Sequence, residues 1–243
     1  MSVRQLFSIA IFSFLFFFSA QSFSQHFLGA LSVGMNLTQV DGDEVYGFKK
    51  VGLNIGPSVI LPLGKDKKWS VTLELLFSQQ GSRQKSTYAA KDTIADSTYA
   101  GYYDGYRLSL NYIQVPVMVH FTDKRIIAGG VGFSYSRLVG VTEYEDYNDP
   151  RGFVRTATSL SGPYLKSDFQ VLADVRFRLW QKLWLNLRYS YSMFPIRTRE
   201  FVNPFSGSTW TRKQYNNVIS IRLVYIFNDI LPNKKKKRTD DGE

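Results

Sequence analysis

The 243-residue chain contains no cysteine. Disulfides, thiolate nucleophiles and thiolate metal sites are therefore excluded together, as is a lipid-modified cysteine at a mature N-terminus. Histidine is scarce too: only His26 and His120 occur, which leaves little for imidazole catalysis. Beyond the first 25 residues no apolar run is long enough for a membrane helix. What the chain has instead is aromatic residues, 19 Phe, 15 Tyr and 4 Trp, and many stretches that alternate apolar with polar.

The opening segment, "MSVRQLFSIAIFSFLFFFSAQSFSQ", carries Arg4, an apolar core from Ile9 to Phe18, and then small and polar residues. That layout is a secretory signal, and its core is short for a membrane anchor. Residues 1–24 are expected to be removed on export. Small residues fit cleavage after Ser22 (Ala20, Ser22) or after Ser24 (Ser22, Ser24).

Eight later segments read as strands by period-two alternation. In "NYIQVPVMVHF", Ile113, Val115, Val117, Val119 and Phe121 share one face, and Tyr112, Gln114, Pro116, Met118 and His120 share the other. In "WSVTLELLFSQ", Trp69, Val71, Leu73, Leu75 and Phe77 oppose Ser70, Thr72, Glu74 and Ser78. The connections alternate in length. "PLGKDKK", "TDKR" and "QK" are tight turns, whereas residues 41–50, 80–106, 142–167 and 195–214 read as longer loops. Short turns at one end and long loops at the other are the pattern of outer-membrane barrels. The expected fold is all-β, an eight-stranded antiparallel up-and-down transmembrane β-barrel over residues 25–228. Residues 229–243 are a basic tail expected in the periplasm, with both termini on that side.

The two faces set the environment. A soluble barrel of lipocalin type would turn its apolar face inward; a membrane barrel turns it outward to lipid. Here the polar face combines small residues such as Gly34, Gly56, Gly130 and Gly132 with charges, which suits a narrow lumen. Aromatics rim the apolar face: Trp69, Phe121, Tyr225 and Phe227 toward the short turns, Tyr135, Tyr189 and Tyr191 toward the long loops. Those resemble interfacial girdles, so the apolar face is expected outside. Pro116 then points inward, and a closed barrel must accommodate it by a bulge or a locally broken ladder.

"NYIQVPVMVHF", then the glycine-rich "AGGVGFSYSRLVG", then "KSDFQVLADVRFRL" resembles the PorT-like outer-membrane β-barrel proteins. The resemblance covers residues 27 to 227 and rests on the order of the motifs. It implies an eight-stranded barrel in a bacterial outer membrane. The founding member of that family is associated with a secretion system for surface proteins. The chain departs from many outer-membrane barrels, which end on an aromatic residue, because "NDILPNKKKKRTDDGE" follows Phe227.

Candidate site residues fall into two groups. Glu74, Asp174, Arg176, Arg188 and Arg222 face the lumen and are expected to pair, because an isolated buried charge is costly. Tyr102, Tyr103, Tyr106, Tyr144 and Tyr147 enrich the long loops and are candidates for contact with a partner. His120 is expected to be a hydrogen-bonded lumen residue near the short turns, and with neither histidine on the long-loop side no catalytic constellation is expected. No cofactor or metal is expected; Asp146 and Asp149 do not make a calcium-loop pattern. The formal charge of +10 does not point to nucleic acid in an exported chain, and Lys234–Arg238 reads as a solvated tail. The expected partners are outer-membrane lipid and cell-surface or secretion-system proteins. The leading expectation is a non-enzymatic envelope structural or secretion-accessory component acting through its loops. A porin-like channel for small solutes is the second reading, and a lipid-active enzyme the third.

Overall fold

The computed structural model describes residues 27–43, 45–84, 106–149, 152–158, 163–202 and 208–227. The expected signal, the basic tail, Tyr102 and Tyr103 lie outside them. Among the described residues eleven strands follow in chain order. They are β1 (Leu28–Asp41), β2 (Lys50–Leu63), β3 (Trp69–Glu74), β4 (Leu76–Gln84), β5 (Tyr106–Asp123) and β6 (Ile127–Asp149), then β7 (Gly152–Thr158), β8 (Ser167–Arg178), β9 (Leu183–Ser192), β10 (Arg197–Val202) and β11 (Thr209–Ile226). β3 and β4 form one barrel strand. With it, β1, β2, β5, β6, β8, β9 and β11 close a ring of eight antiparallel strands, sealed by the β1–β11 ladder.

The alternation seen in the sequence sets the two surfaces. Along β2 from Lys50 to Ile60, along β8 and at the end of β11, buried and more exposed residues alternate without a slip. The outward side chains are apolar and open; Val131 is 66% exposed and Phe133 63%. A continuous apolar band of this kind is not tolerated in water and calls for hydrocarbon outside. Among the described residues no helix is long and apolar enough to cross a membrane. Aromatic pairs mark both edges of the band. Trp69–Phe121 (5.1 Å) and Tyr225–Phe227 (5.4 Å) lie toward the short turns, and Tyr135–Phe169 (5.3 Å) and Tyr191–Tyr215 (6.1 Å) toward the long loops.

Pro116 is met by a locally broken ladder. Pairing of β3 with β5 ends at Leu73↔Val117, and pairing of β4 with β5 begins at Leu76↔Gln114. Glu74 and Leu75 lie between, opposite Pro116 and Val115, and the register does not change. Proline has no N–H to give there. On the other side Leu75 N–H donates to the carbonyl of Pro57, 3.0 Å away. The bulge in this region lies elsewhere: Asn111 pairs Gly140 and Tyr112 pairs Leu138, so Val139 is the extra residue on β6.

Two of the connections expected as loops contain an additional strand, and β4 runs on to Gln84 into a third. Within 142–167, β6 continues to Asp149 and folds back as β7, with Tyr144↔Ala157 and Tyr147↔Val154 in register. Within 195–214, β10 pairs the start of β11, Phe201 against Trp210. Here the ladders run on beyond the closed ring, where apolar–polar contrast no longer marks a strand.

Candidate functional site

The five charges expected in the lumen meet at mid-height. Arg188 binds Glu74 end-on, Nη1 to Oε2 at 2.9 Å and Nη2 to Oε1 at 2.8 Å. The same guanidinium reaches Asp174 Oδ2 from Nε at 3.1 Å and from Nη2 at 2.8 Å. Arg222 Nη1 donates to Glu74 Oε2 at 2.9 Å, while its Nε and Nη2 donate to Asn186 Oδ1 at 3.0 and 2.6 Å. Arg176 touches Glu74 Oε1 once, through Nη2 at 3.2 Å. All five side chains are buried. Strand geometry accounts for the meeting: Asp174↔Arg188 and Arg222↔Asn186 are cross-strand neighbours, and Glu74 reaches across from the far wall.

Two glycines make room for this cluster. A Cβ at Gly130 would lie 2.4 Å from His120 Cδ2, and one at Gly34 would lie 2.1 Å from the Ile221 carbonyl and 2.9 Å from Arg222 Cγ. The small inward residues thus sit where the long ones must pass.

His120 adds a feature that the sequence did not reveal. Its Nε2 lies 2.9 Å from Asp174 Oδ1, and its Nδ1 lies 3.2 Å from Thr72 Oγ1. The Asp174 carboxylate accepts from Nε2–H. A hydroxyl, an imidazole and a carboxylate in line have the composition of a nucleophile–base–acid set. Thr72 is 0% exposed and is not among the residues that line the cavity at the short-turn end.

Toward the long loops a second polar layer surrounds Asp168. Its Oδ2 accepts from Gln170 at 2.7 Å, Ser192 at 3.0 Å and Asn216 at 2.9 Å. Above it Val40, Leu108, Leu110, Tyr112, Leu138 and Ile196 form an apolar cap. Beside the cap Arg197 Nη1 holds Glu143 at 2.9 and 3.1 Å. Tyr106 is half-buried and packs against this cap, and its hydroxyl donates to Glu143 Oε1 at 2.8 Å. Tyr144 is half-buried on β6, and Tyr147 lies on the same strand near its tip. In the loop between β1 and β2, burial pushes the Asp43 carboxyl up to about 6, against the opposing pull of the Val45 N–H, which donates to it at 2.8 Å.

The lumen is filled by apolar as well as polar side chains. Apolar inward residues close it above the charges, and others line the short-turn end: Ala30, Ile60, Ala128, Trp184, Val224 and Ile226.

A family model described as "Outer membrane protein beta-barrel domain" matches residues 19–197, most of the chain. No curated protein matches it. Among solved structures the chain is similar to Neisserial surface protein A, at 10% identity and TM-score 0.41, over 83% of this chain and 97% of that one. It is similar to Ail, the attachment invasion locus protein of Yersinia pestis, at 11% identity and TM-score 0.43, over 82% and 98%. A major outer membrane protein from Thermus thermophilus matches at 10% identity and TM-score 0.44, over 83% and 99%.

Proposed function

The chain belongs to the outer membrane protein β-barrel domain family, and from that premise we propose that it is a sealed, non-enzymatic barrel. It serves as an envelope structural or secretion-accessory component, working through its long-loop side. One observation carries the reading: Glu74, Asp174, Arg176, Arg188 and Arg222 are bonded across the full width of the lumen. An eight-stranded ring encloses little more than its own side chains, and interlocked ion pairs in low dielectric resist displacement. The short turns face the periplasm together with both termini, and the long loops face outward, in keeping with the loop lengths of such barrels. The motif order that resembles the PorT-like proteins supports a secretion-accessory role. Cleavage of residues 1–24 on export belongs to the same reading.

Planar-bilayer recording tests the seal. Little or no steady current is expected from the reconstituted protein. A stable open channel of porin size would make solute transport the function. Cross-linking from a cysteine placed at Asn148, on the β6–β7 tip, should capture a surface or secretion protein on intact cells; capture of lipid alone removes the accessory role.

A further inference from the structure

Between the charged cluster and the short turns, the lumen opens into a cavity of about 930 Å³. Sites for small molecules span roughly 300–1,000 Å³. Its wall is apolar, built by Ile60, Ala128, Trp184, Val224 and Ile226. Arg176 and His120 stand at its inner end, and Lys67, Arg125, Arg178 and Lys182 line it toward the turns. No aspartate or glutamate is among the described residues that line it.

Two independent features give this cavity a preference. The first is charge. Three guanidiniums face two carboxylates in the cluster, so these five groups carry one positive charge in excess. Arg176 is the member least committed, with one 3.2 Å contact to Glu74, and it is the arginine of the cluster that borders the cavity. The second is unmet hydrogen bonding. Arg176 Nε and Trp184 Nε1 are both buried without a hydrogen-bond partner. Arg176 is 6% exposed and Trp184 5%. They are diagonal neighbours on the inward face, since Arg176 pairs Asn186 and Arg178 pairs Trp184. Buried donors left unpaired are costly and call for an acceptor.

We propose that this cavity binds an amphipathic anion, a carboxylate or phosphate head on a short apolar body. The head pairs with the Arg176 guanidinium at the inner end, and a turn of the Arg176 and Trp184 side chains presents their unpaired N–H groups to it. The body lies along Ile60, Val224 and Ile226, and the basic residues toward the turns draw the anion in. The lumen is then a blind pocket open at the short-turn end, and its occupancy does not depend on conductance.

The test titrates the full-length protein, in nanodiscs of zwitterionic phospholipid with isotope-labelled indole nitrogens, against octanoate, octyl phosphate, octanol and octylammonium. A Trp184→Phe variant identifies the Trp184 resonance. That resonance should shift saturably with one or both anions, about ten-fold or more tighter than with octanol, and should not move with octylammonium. The tighter of the two anions assigns the head as carboxylate or phosphate. Arg176→Gln should weaken anion binding by about ten-fold. Because that variant also touches the ion pairs, Ala128→Phe serves as a second one. It fills the cavity, and it should abolish the shift while the barrel keeps its heat-modifiable gel migration. Equal binding of octanol and octanoate, or a shift that survives Ala128→Phe, overturns the proposal. So does an acidic peptide, Glu-Glu-Leu-Leu, that displaces octanoate at lower concentration than either anion, since the occupant would then be a protein segment.

Discussion

Arg188 and Glu74 meet end-on, two nitrogens against two oxygens at 2.9 and 2.8 Å, in the middle of a closed lumen. Fork-to-fork geometry is the strongest form of this pair. Losing one partner leaves a charge that water cannot reach. Glu74→Gln should therefore destabilise the barrel by about 3–5 kcal/mol, read as a shift in the urea midpoint of heat-modifiable migration. Adding Arg222→Met to that variant should recover part of the loss, because it removes one of the stranded guanidiniums. A milder loss than about 1 kcal/mol for Glu74→Gln would mean that the charges are hydrated and the lumen is not tightly filled. Outer-membrane targeting should be unaffected.

The outward band predicts a sided response to charge. Leu73→Arg and Val117→Arg, both on exposed apolar positions, should each cost about 2–4 kcal/mol where they fall near the bilayer midplane. Ser70→Asn, whose side chain enters the cavity at the short-turn end, should cost far less than Leu73→Asn. Equal unfolding midpoints for the last two variants would overturn the inside–outside assignment. Thr72 is unsuited to this comparison, since it is fully enclosed and bonded to His120.

Orientation is readable by labelling, and the chain's lack of cysteine means that label on the purified protein reports the introduced residue alone. Asn148→Cys at the β6–β7 tip should react with a membrane-impermeant maleimide on intact cells. Lys124→Cys, in the β5–β6 turn, should react only after the outer membrane is opened. The converse pattern would place the short turns outside.

One titration falls in the loop between β1 and β2. Burial raises the Asp43 carboxyl to about 6 from an ordinary value of 3.8. The neutral form is thus favoured in the folded loop. The stabilisation is fully present below about pH 4 and is lost as pH rises through about 6. After correction for intrinsic rates, the Val45 amide, which donates to Asp43, should lose exchange protection over that window. Asp43→Asn should abolish the change. Unchanged protection between pH 4 and about 7 would show that the carboxyl is already ionised in the folded loop.

The parts of this architecture that could be read from sequence were those with contrast between neighbours. Leu73 beside Glu74, Val175 beside Arg176 and Leu187 beside Arg188 differ so strongly that the phase of each strand is set, and the five lumen charges follow from it. The cavity near the short turns was hidden because contrast vanishes at the strand ends. In "LWL" at 183–185 and "VYIF" at 224–227 every residue is apolar, so the phase carried from Arg188 and Arg222 turns Trp184, Val224 and Ile226 inward, but no polar residue among them marks a cavity. Glu143 and Arg197 were equally silent. They pair across segments beyond the closed ring, where no hydrocarbon sorts residues by face. The Thr72–His120–Asp174 line needed the β3, β5 and β8 registers together, and no spacing within one strand implies it.

The ladder between β1 and β11 does more than complete the ring. β11 follows the other barrel strands in the chain, and it carries both Arg222, which reaches Glu74, and Ser220, whose hydroxyl lies 2.8 Å from Asn36 Oδ1. A closing strand that slipped by one residue would turn every side chain over. Arg222 would then face hydrocarbon, at a cost of about 2–4 kcal/mol near the midplane, and Ile221 would enter the charged cluster in its place. The last strand is in this way proofread as it docks. The same arginine that balances Glu74 makes each odd-numbered misalignment of the seam self-rejecting, so the barrel carries its own check on having closed correctly.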